Sequence, residues 1–273
     1  MSRLKENKLL LLGIVLLLIV VSFCFVSLFY LPHDPNEMNT PDRFQLPNEE
    51  YFLGTDQFGR DILSRLMISS RYALFIGLVS VSLGAVVGLL IGAVAAMTKG
   101  MFQGFLMRMI DGLMAFPGML LAMMLVVVLG KGMMNAVIAI AIFMIPVFAR
   151  LSYSLVLDQK NNLYIKAARS YGVTGKRLIF KHILPMILPR LITQFSASIG
   201  NAILIESSLS FLGLGVQPPD ASWGLMLSES RQFTLTYPYL AFPPGIILII
   251  TVLAFNLLGD ALNDTMVKRR AAA

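Results

Sequence analysis

The sequence predicts an all-α, polytopic membrane protein with about six transmembrane helices, on three observations. Of its 273 residues, 57% are hydrophobic and only 14% are charged, against roughly a quarter charged in a soluble domain, so water is not its main solvent. The apolar residues gather into runs of about 20, which at about 1.5 Å rise each are long enough to cross a hydrocarbon core of about 30 Å. The Lys and Arg residues divide unevenly between the segments that join the runs. With the N-terminus placed in the cytoplasm, only Arg43, Arg60, Arg65, Arg71, Lys131 and Arg231 of the 22 fall outside. That bias favours both termini inside and an even number of spans, and it accounts for the net charge of +7 without any nucleic-acid partner.

The first run is Leu9 to Leu31. It is too long for a cleaved signal, and no small-x-small site follows it. The lone Cys24 within it has no second cysteine to pair with and reads as a packing residue. An outer segment from Pro32 to Arg71 completes an N-terminal portion, residues 1–71. Its second half reads as a helix on the membrane surface, with Ile62, Leu63, Leu66 and Met67 at helical spacing and Asp56 capping the helix or the turn before it. Arg60, Asp61, Arg65 and Arg71 are expected to face headgroups or to pair with each other.

Residues 72–273 hold the remaining runs: Tyr72 to Ala96, Leu106 to Leu129, Gly132 to Ala149, Leu191 to Leu212 and Phe242 to Leu258. Asp111 is expected to pair with Arg108 on its own helix. Between the fourth and fifth of all the runs lies a polar inner segment, about residues 150–190. Within it, NNLYIKAARSYGVTGKRLIFKHILPMILP predicts a short helix ending at Gly172, a turn, a second short helix, and Pro185 and Pro189 at the mouth of the next run. Two adjacent alanines let such a helix seat deep in a partner's cleft, and glycine permits the turn that follows.

The run from Leu191 to Leu212 is the most polar. At about 100° per residue, Gln194, Ser198, Asn201 and Ser208 fall within roughly 80° of one another. A polar stripe in lipid must face protein or a watery path, so these residues are expected to line a translocation pathway. Glu206 lies about 120° from Gln194 and is a functional candidate because an acid near the bilayer interior costs on the order of 3 kcal/mol. It is placed provisionally with the pathway, the alternatives being a pair with Arg231 or a helix cap.

Several chemistries lack their residues. A phosphate-cradling loop needs GxxxxGK[ST], but at Gly175-Lys176 the first position is Ser170 and the last Arg177, so no cofactor is expected on this chain and ATP would have to be used by partner subunits. His33 and His182 fall on opposite sides of the membrane, and the 17 Met residues are scattered, so neither a metal site nor a His-based catalytic group is evident. An ion-coupled secondary transporter would show inverted repeats, and no clear internal repeat is present.

The polar inner segment also carries a resemblance. Importer permeases of the ATP-binding-cassette class have E-A-A, three residues, Gly, nine residues and I-x-L-P before their next-to-last span. Here Ala167, Ala168, Gly172, His182, Ile183, Leu184 and Pro185 keep the full spacing, with Lys166 in place of Glu and His182 in place of Ile. GTDQFGRDILSR, DGLMAFPGMLLA, SLSFLGLGVQPPDASWGLML and FNLLGDAL are similar, in that order, to the second permease subunit of the dipeptide, oligopeptide and nickel importer family. The resemblance implies a type I (MetI-like) permease fold in a prokaryotic inner membrane. It implies that Lys166, Ala167, Ala168, Arg169, Gly172, Leu184 and Pro185 form the surface that couples to an ATPase. The implied partners are a second homologous permease, two cytoplasmic ATP-binding subunits, an extracytoplasmic substrate-binding protein and membrane lipid. The implied cargo is small peptides, with nickel or a metal chelate as the alternative.

Overall fold

The computed structural model describes the backbone of residues 8–271 and the side chains of residues 9–263. The basic positions Arg3, Lys5, Lys8, Lys268, Arg269 and Arg270 therefore fall outside the described side chains. The order is α1 (Lys8–Phe29), α2 (Ile62–Met97), α3 (Met101–Met114), α4 (Gly118–Leu129), α5 (Met133–Lys160), α6 (Leu163–Ser170), α7 (Gly175–Arg177), α8 (Leu184–Phe211), α9 (Trp223–Ser230) and α10 (Phe242–Ala271). Among the described residues five helices are long and apolar enough to cross a membrane, and a sixth span results if α3 and α4 count together.

α1 forms from an almost unbroken Leu, Ile, Val and Phe run, and its two serines return their hydroxyls to Ile19 O and Cys24 O. It packs on α10, where a Cβ on Gly13 would stand 3.1 Å from Leu257 Cβ. α2 begins where the Asp61 carboxylate accepts the N–H groups of Leu63 and Ser64, the usual service of an N-cap. The surface helix expected over the end of the outer segment and the span expected from Tyr72 are one helix of 36 residues. Nothing interrupts it: the buried face Ile62, Leu66, Ala73, Ile76 is continuous, and Ser69 and Ser70 donate to Arg65 O and Met67 O within the helix.

The core of the bundle is the α2–α5 seam. Gly84, Gly88 and Gly92 recur every fourth residue on one face of α2. A Cβ added at each would stand 2.5 Å from Met144 Cβ, 2.6 Å from Ile145 O and 2.3 Å from Ala149 O. Only glycine lets the two backbones approach so closely, the small-xxx-small packing that joins helices where lipid supplies no hydrophobic drive. α5 runs on to Lys160, past the expected end at Ala149, because Leu155, Val156 and Gln159 continue its buried face.

The run expected from Leu106 to Leu129 is broken. α3 and α4 meet at 91° across Ala115-Phe116-Pro117, where Pro117 has no N–H to extend the first helix and stands as the N-cap residue of the second. On the other side of α5, the helix expected to start at Leu191 begins earlier. α7 passes through a π-turn at Leu178–Ile183 into α8, which carries Pro185 in its first turn and Pro189 inside. Pro185 falls where a helix start leaves an N–H free, and the π-turn beside it takes up the mismatch.

At the end of the bundle formed by the start of α2, residues 32–61 fold as a cap. The Asp56 carboxylate accepts from Phe58 N and Arg60 N and so closes the turn before α2. Tyr239 OH donates to Gln45 O, and Phe44 stacks on Tyr237 with ring centroids 4.2 Å apart. Arg60 and Arg65 do not face headgroups. They are 2% and 1% exposed, enclosed with two carboxylates. Arg60 Nε lies 2.6 Å from Asp56 Oδ2, and its Nη2 lies 2.8 Å from Glu229 Oε2 on α9. Arg65 donates to Pro35 O and stands 3.6 Å from Glu229, while Arg71 donates to Ser27 Oγ on α1. Replacing Arg60 by alanine leaves two carboxylates without their main cation, so a loss of about 3–5 kcal/mol is expected, read as a lowered thermal unfolding midpoint of the purified chain.

Candidate functional site

Two regions gather the residues singled out in the sequence. The first is α6. Its inward face is fixed by Ile165, fully enclosed with Leu178 and Ile183, and by Ala168, 8% exposed. Tyr164 OH and His182 Nδ1 share a hydrogen bond of 2.9 Å, so the position that departs from the family pattern ties the two halves of the motif together. The helix ends in a Schellman motif. Gly172 sits at φ +80°, its N–H donates to Arg169 O, and Val173 N–H donates to Ala168 O, which satisfies carbonyls the last turn would leave free.

The outward face of α6 presents Lys166, Ala167 and Arg169, flanked by Leu163 and Tyr171, which are 82% and 89% exposed. Leu184, half-buried, and Pro185, exposed, open α8 beside it. Lys160 Nζ donates to Ala96 O at the end of α2, so the end of α5 that leads into α6 is tied to α2. The result is a rigidly seated knob with a small, exposed alanine at its tip.

The second region is a groove between α5 and α8. Gln194, Ser198 and Asn201 line one recess of about 150 Å³ with Phe143, Met144, Val147, Leu204 and Ile205. Gln194 Nε2 donates to Ser198 Oγ at 3.2 Å, and Asn201 is exposed. Ser208 lines a different recess further along α8, of about 340 Å³, shared with Met119, Phe211, Leu227 and Leu248. Its hydroxyl returns to Leu204 O.

Glu206 is not brought to the groove. Its side chain is completely enclosed, accepting from Ser210 Oγ at 2.7 Å and from Ser207 Oγ at 3.3 Å. Arg231 is exposed and forms no ion pair with it among the described residues. Ser210 Oγ also accepts from Val216 N, so the acid anchors the loop that leaves α8. The 120° offset from the stripe carries the cause: that face of α8 meets α9, where Gly224 lies against the backbone of Ser207.

Asp111 pairs with Arg150 of α5 at 2.9 Å rather than with Arg108. The sequence reading missed this pair because it ended the helix at Ala149. It missed the seam glycines too, although their four-residue period was visible.

The sequence comparisons follow the same outline. Residues 88–272 match the family described as the binding-protein-dependent transport system inner membrane component. The chain belongs to that family. Residues 1–47 of the permease match the N-terminal transmembrane domain of oligopeptide transport permease C. It is 41% identical over 250 residues, 91% of its length and 83% of the relative's, to the glutathione transport system permease protein GsiD of Pectobacterium atrosepticum. It is 39% identical over 268 residues, 97% of its length and 87% of the relative's, to the dipeptide transport system permease protein DppC of Alkalihalophilus pseudofirmus. Among solved structures, an inward-facing MetNI methionine ABC transporter matches with a TM-score of 0.62, 18% identity, 72% of the permease and 94% of the solved chain, which shows a MetI-like fold. The protein is thus a multi-span inner-membrane permease subunit of a binding-protein-dependent transport system.

Proposed function

We propose that the permease carries small peptides inward along the α5–α8 groove, driven by ATP hydrolysed on partner subunits that seat on α6. The observation that carries this reading is the likeness, along nine-tenths of the chain, to permeases named for glutathione and dipeptides. Those names favour peptides over nickel or a metal chelate. In this reading α6 and both termini face the cytoplasm, and the cap of residues 32–61 faces the external binding protein. A second, homologous permease closes the groove into a path. The outward face of Lys166, Ala167 and Arg169 sits in a cleft of an ATPase subunit, with Gly172, Leu184 and Pro185 holding the knob in register. When ATP draws the two ATPases together, the knob moves as a body, because Ile165 and Ala168 pack it on the bundle. Gln194 and Asn201 offer amide groups to the peptide backbone as it passes, Ser198, enclosed, accepts from Gln194 and holds it, and Ser208 continues the stripe beyond them.

The test is uptake into proteoliposomes holding this permease, its partner permease, both ATPases and the loaded binding protein. A labelled dipeptide should accumulate only with ATP and a loaded binding protein. Accumulation that follows an imposed proton or sodium gradient without ATP would overturn the reading in favour of a secondary transporter.

A further inference from the structure

On α5, Phe143, Met144 and Val147 line the groove, and at about 100° per residue Arg150 and Ser154 fall within roughly 60° of Phe143 and Val147, on the side away from Met144. Arg150 and Ser154 are exposed, so the face that bounds the recess continues past it as an open strip. Arg150 Nη2 meets Asp111 Oδ1 of α3 at 2.9 Å, and the two side chains are 53% and 47% exposed. Gln103 Nε2 of α3 donates to Tyr153 OH beside them, so α3 is held to α5 at two points.

The pair is not at the end of its helix. Arg150 lies ten residues before Lys160, the last residue of α5, about 15 Å along the axis. Half-open ionised groups on a spanning helix face water or protein rather than lipid. A structural clasp would be enclosed, as Arg60 and Arg65 are, whereas this pair leaves about half of each side chain open, with Arg150 on the α5 strip that runs on from the recess.

We propose that Arg150 is a carboxylate-binding subsite at the cytoplasmic end of the groove, where it takes a carboxylate of the passing peptide. This rests on the reading of the groove as the pathway. A guanidinium matches a carboxylate with two parallel N–H···O bonds, and its pair with Asp111 is half exposed, so an incoming carboxylate replaces Asp111 without leaving the cation bare. Asp111 holds the guanidinium in place until then, and its own charge is answered by the peptide's ammonium. No bond is made or broken, and the exchange leaves the cation satisfied before and after.

The experiment uses the assembled transporter in inside-out vesicles with Ser154→Cys as a reporter for a membrane-impermeant maleimide. The cysteine should label, and dialanine should slow labelling about fivefold at roughly four times its Kd. Its C-terminal amide should leave labelling unchanged. Adding Arg150→Gln should remove the slowing, whereas Arg150→Lys, which keeps the charge, should retain part of it. Equal slowing by dialanine and its amide, or slowing that persists with Arg150→Gln, overturns the subsite. Labelling with no protection by dialanine also overturns the subsite and leaves the pathway reading standing. A cysteine that does not label at all shows that the strip is closed and overturns the subsite as well. If Arg150→Gln does not assemble, the comparison of dialanine with its amide on the Ser154→Cys transporter alone decides.

Discussion

Leucine in place of Gly92 is expected to abolish the folded permease. A Cβ at that position stands 2.3 Å from Ala149 O and 2.8 Å from both Ser152 Cβ and Tyr153 N. Two of these three atoms are backbone, so no side-chain rotation relieves the clash. α2 and α5 must move apart along the seam that also seats Gly84 and Gly88. Overpacking of a well-filled core costs about 1–3 kcal/mol and more where the backbone itself is in the way, against a total stability on the order of 5–15 kcal/mol. The expected result is little or no monodisperse protein on size-exclusion chromatography in detergent. Gly104→Leu on α3 serves as the control, since a Cβ there meets nothing within 4 Å and that variant should elute as the parent does. A Gly92→Leu chain that purifies and unfolds like the parent would mean the seam is looser than described.

Arginine in place of Ala167 is expected to have an equally large effect on transport and almost none on folding. Ala167 is exposed on the outer face of α6, while Ala168 beside it is packed inward. The new side chain therefore costs the isolated chain nothing. It fills the space into which an ATPase subunit would fit, and a misfit at the centre of an interface, where hot spots cluster, costs about 1.4 kcal/mol or more, about tenfold or more in association. Purified Ala167→Arg should keep the parent's unfolding midpoint and lose co-purification with the ATPase, with uptake falling in step. Ala168→Arg should fail earlier, at folding. Retention of both ATPase binding and uptake by Ala167→Arg would remove α6 from its assigned role.

Much of this was legible in the chain because lipid imposes a simple rule on it. The run from Leu9 needs only its length to be a span, and Ala167, Ala168 and Gly172 needed only their spacing to foretell a short helix ended by a glycine turn. The boundaries were less legible, because polar residues on one face of a long helix look like loop. Arg150 ended the expected span at Ala149, although Leu155 and Val156 carry the buried face onward. The break at Pro117 was written in Phe116-Pro117-Gly118 and was masked by the apolar residues on both sides. Tertiary partners were the least legible. Arg60 and Arg65 read as contacts to headgroups or to each other until α9 supplied Glu229, 169 residues from Arg60, and Glu206, left between the pathway, Arg231 and a helix cap, is enclosed with Ser207 and Ser210.

The central claim is that motion enters this chain through the tip of α6. The direct measurement is a cysteine placed at Ala167 in the assembled transporter and treated with a short bifunctional thiol reagent. The account predicts a covalent adduct with an ATPase subunit that carries a cysteine in its cleft, and arrest of both ATP turnover and uptake until the link is cleaved. Free turnover and uptake with the link in place, or no adduct from Ala167 while a cysteine in the cap at residues 32–61 reaches the ATPase, would contradict it.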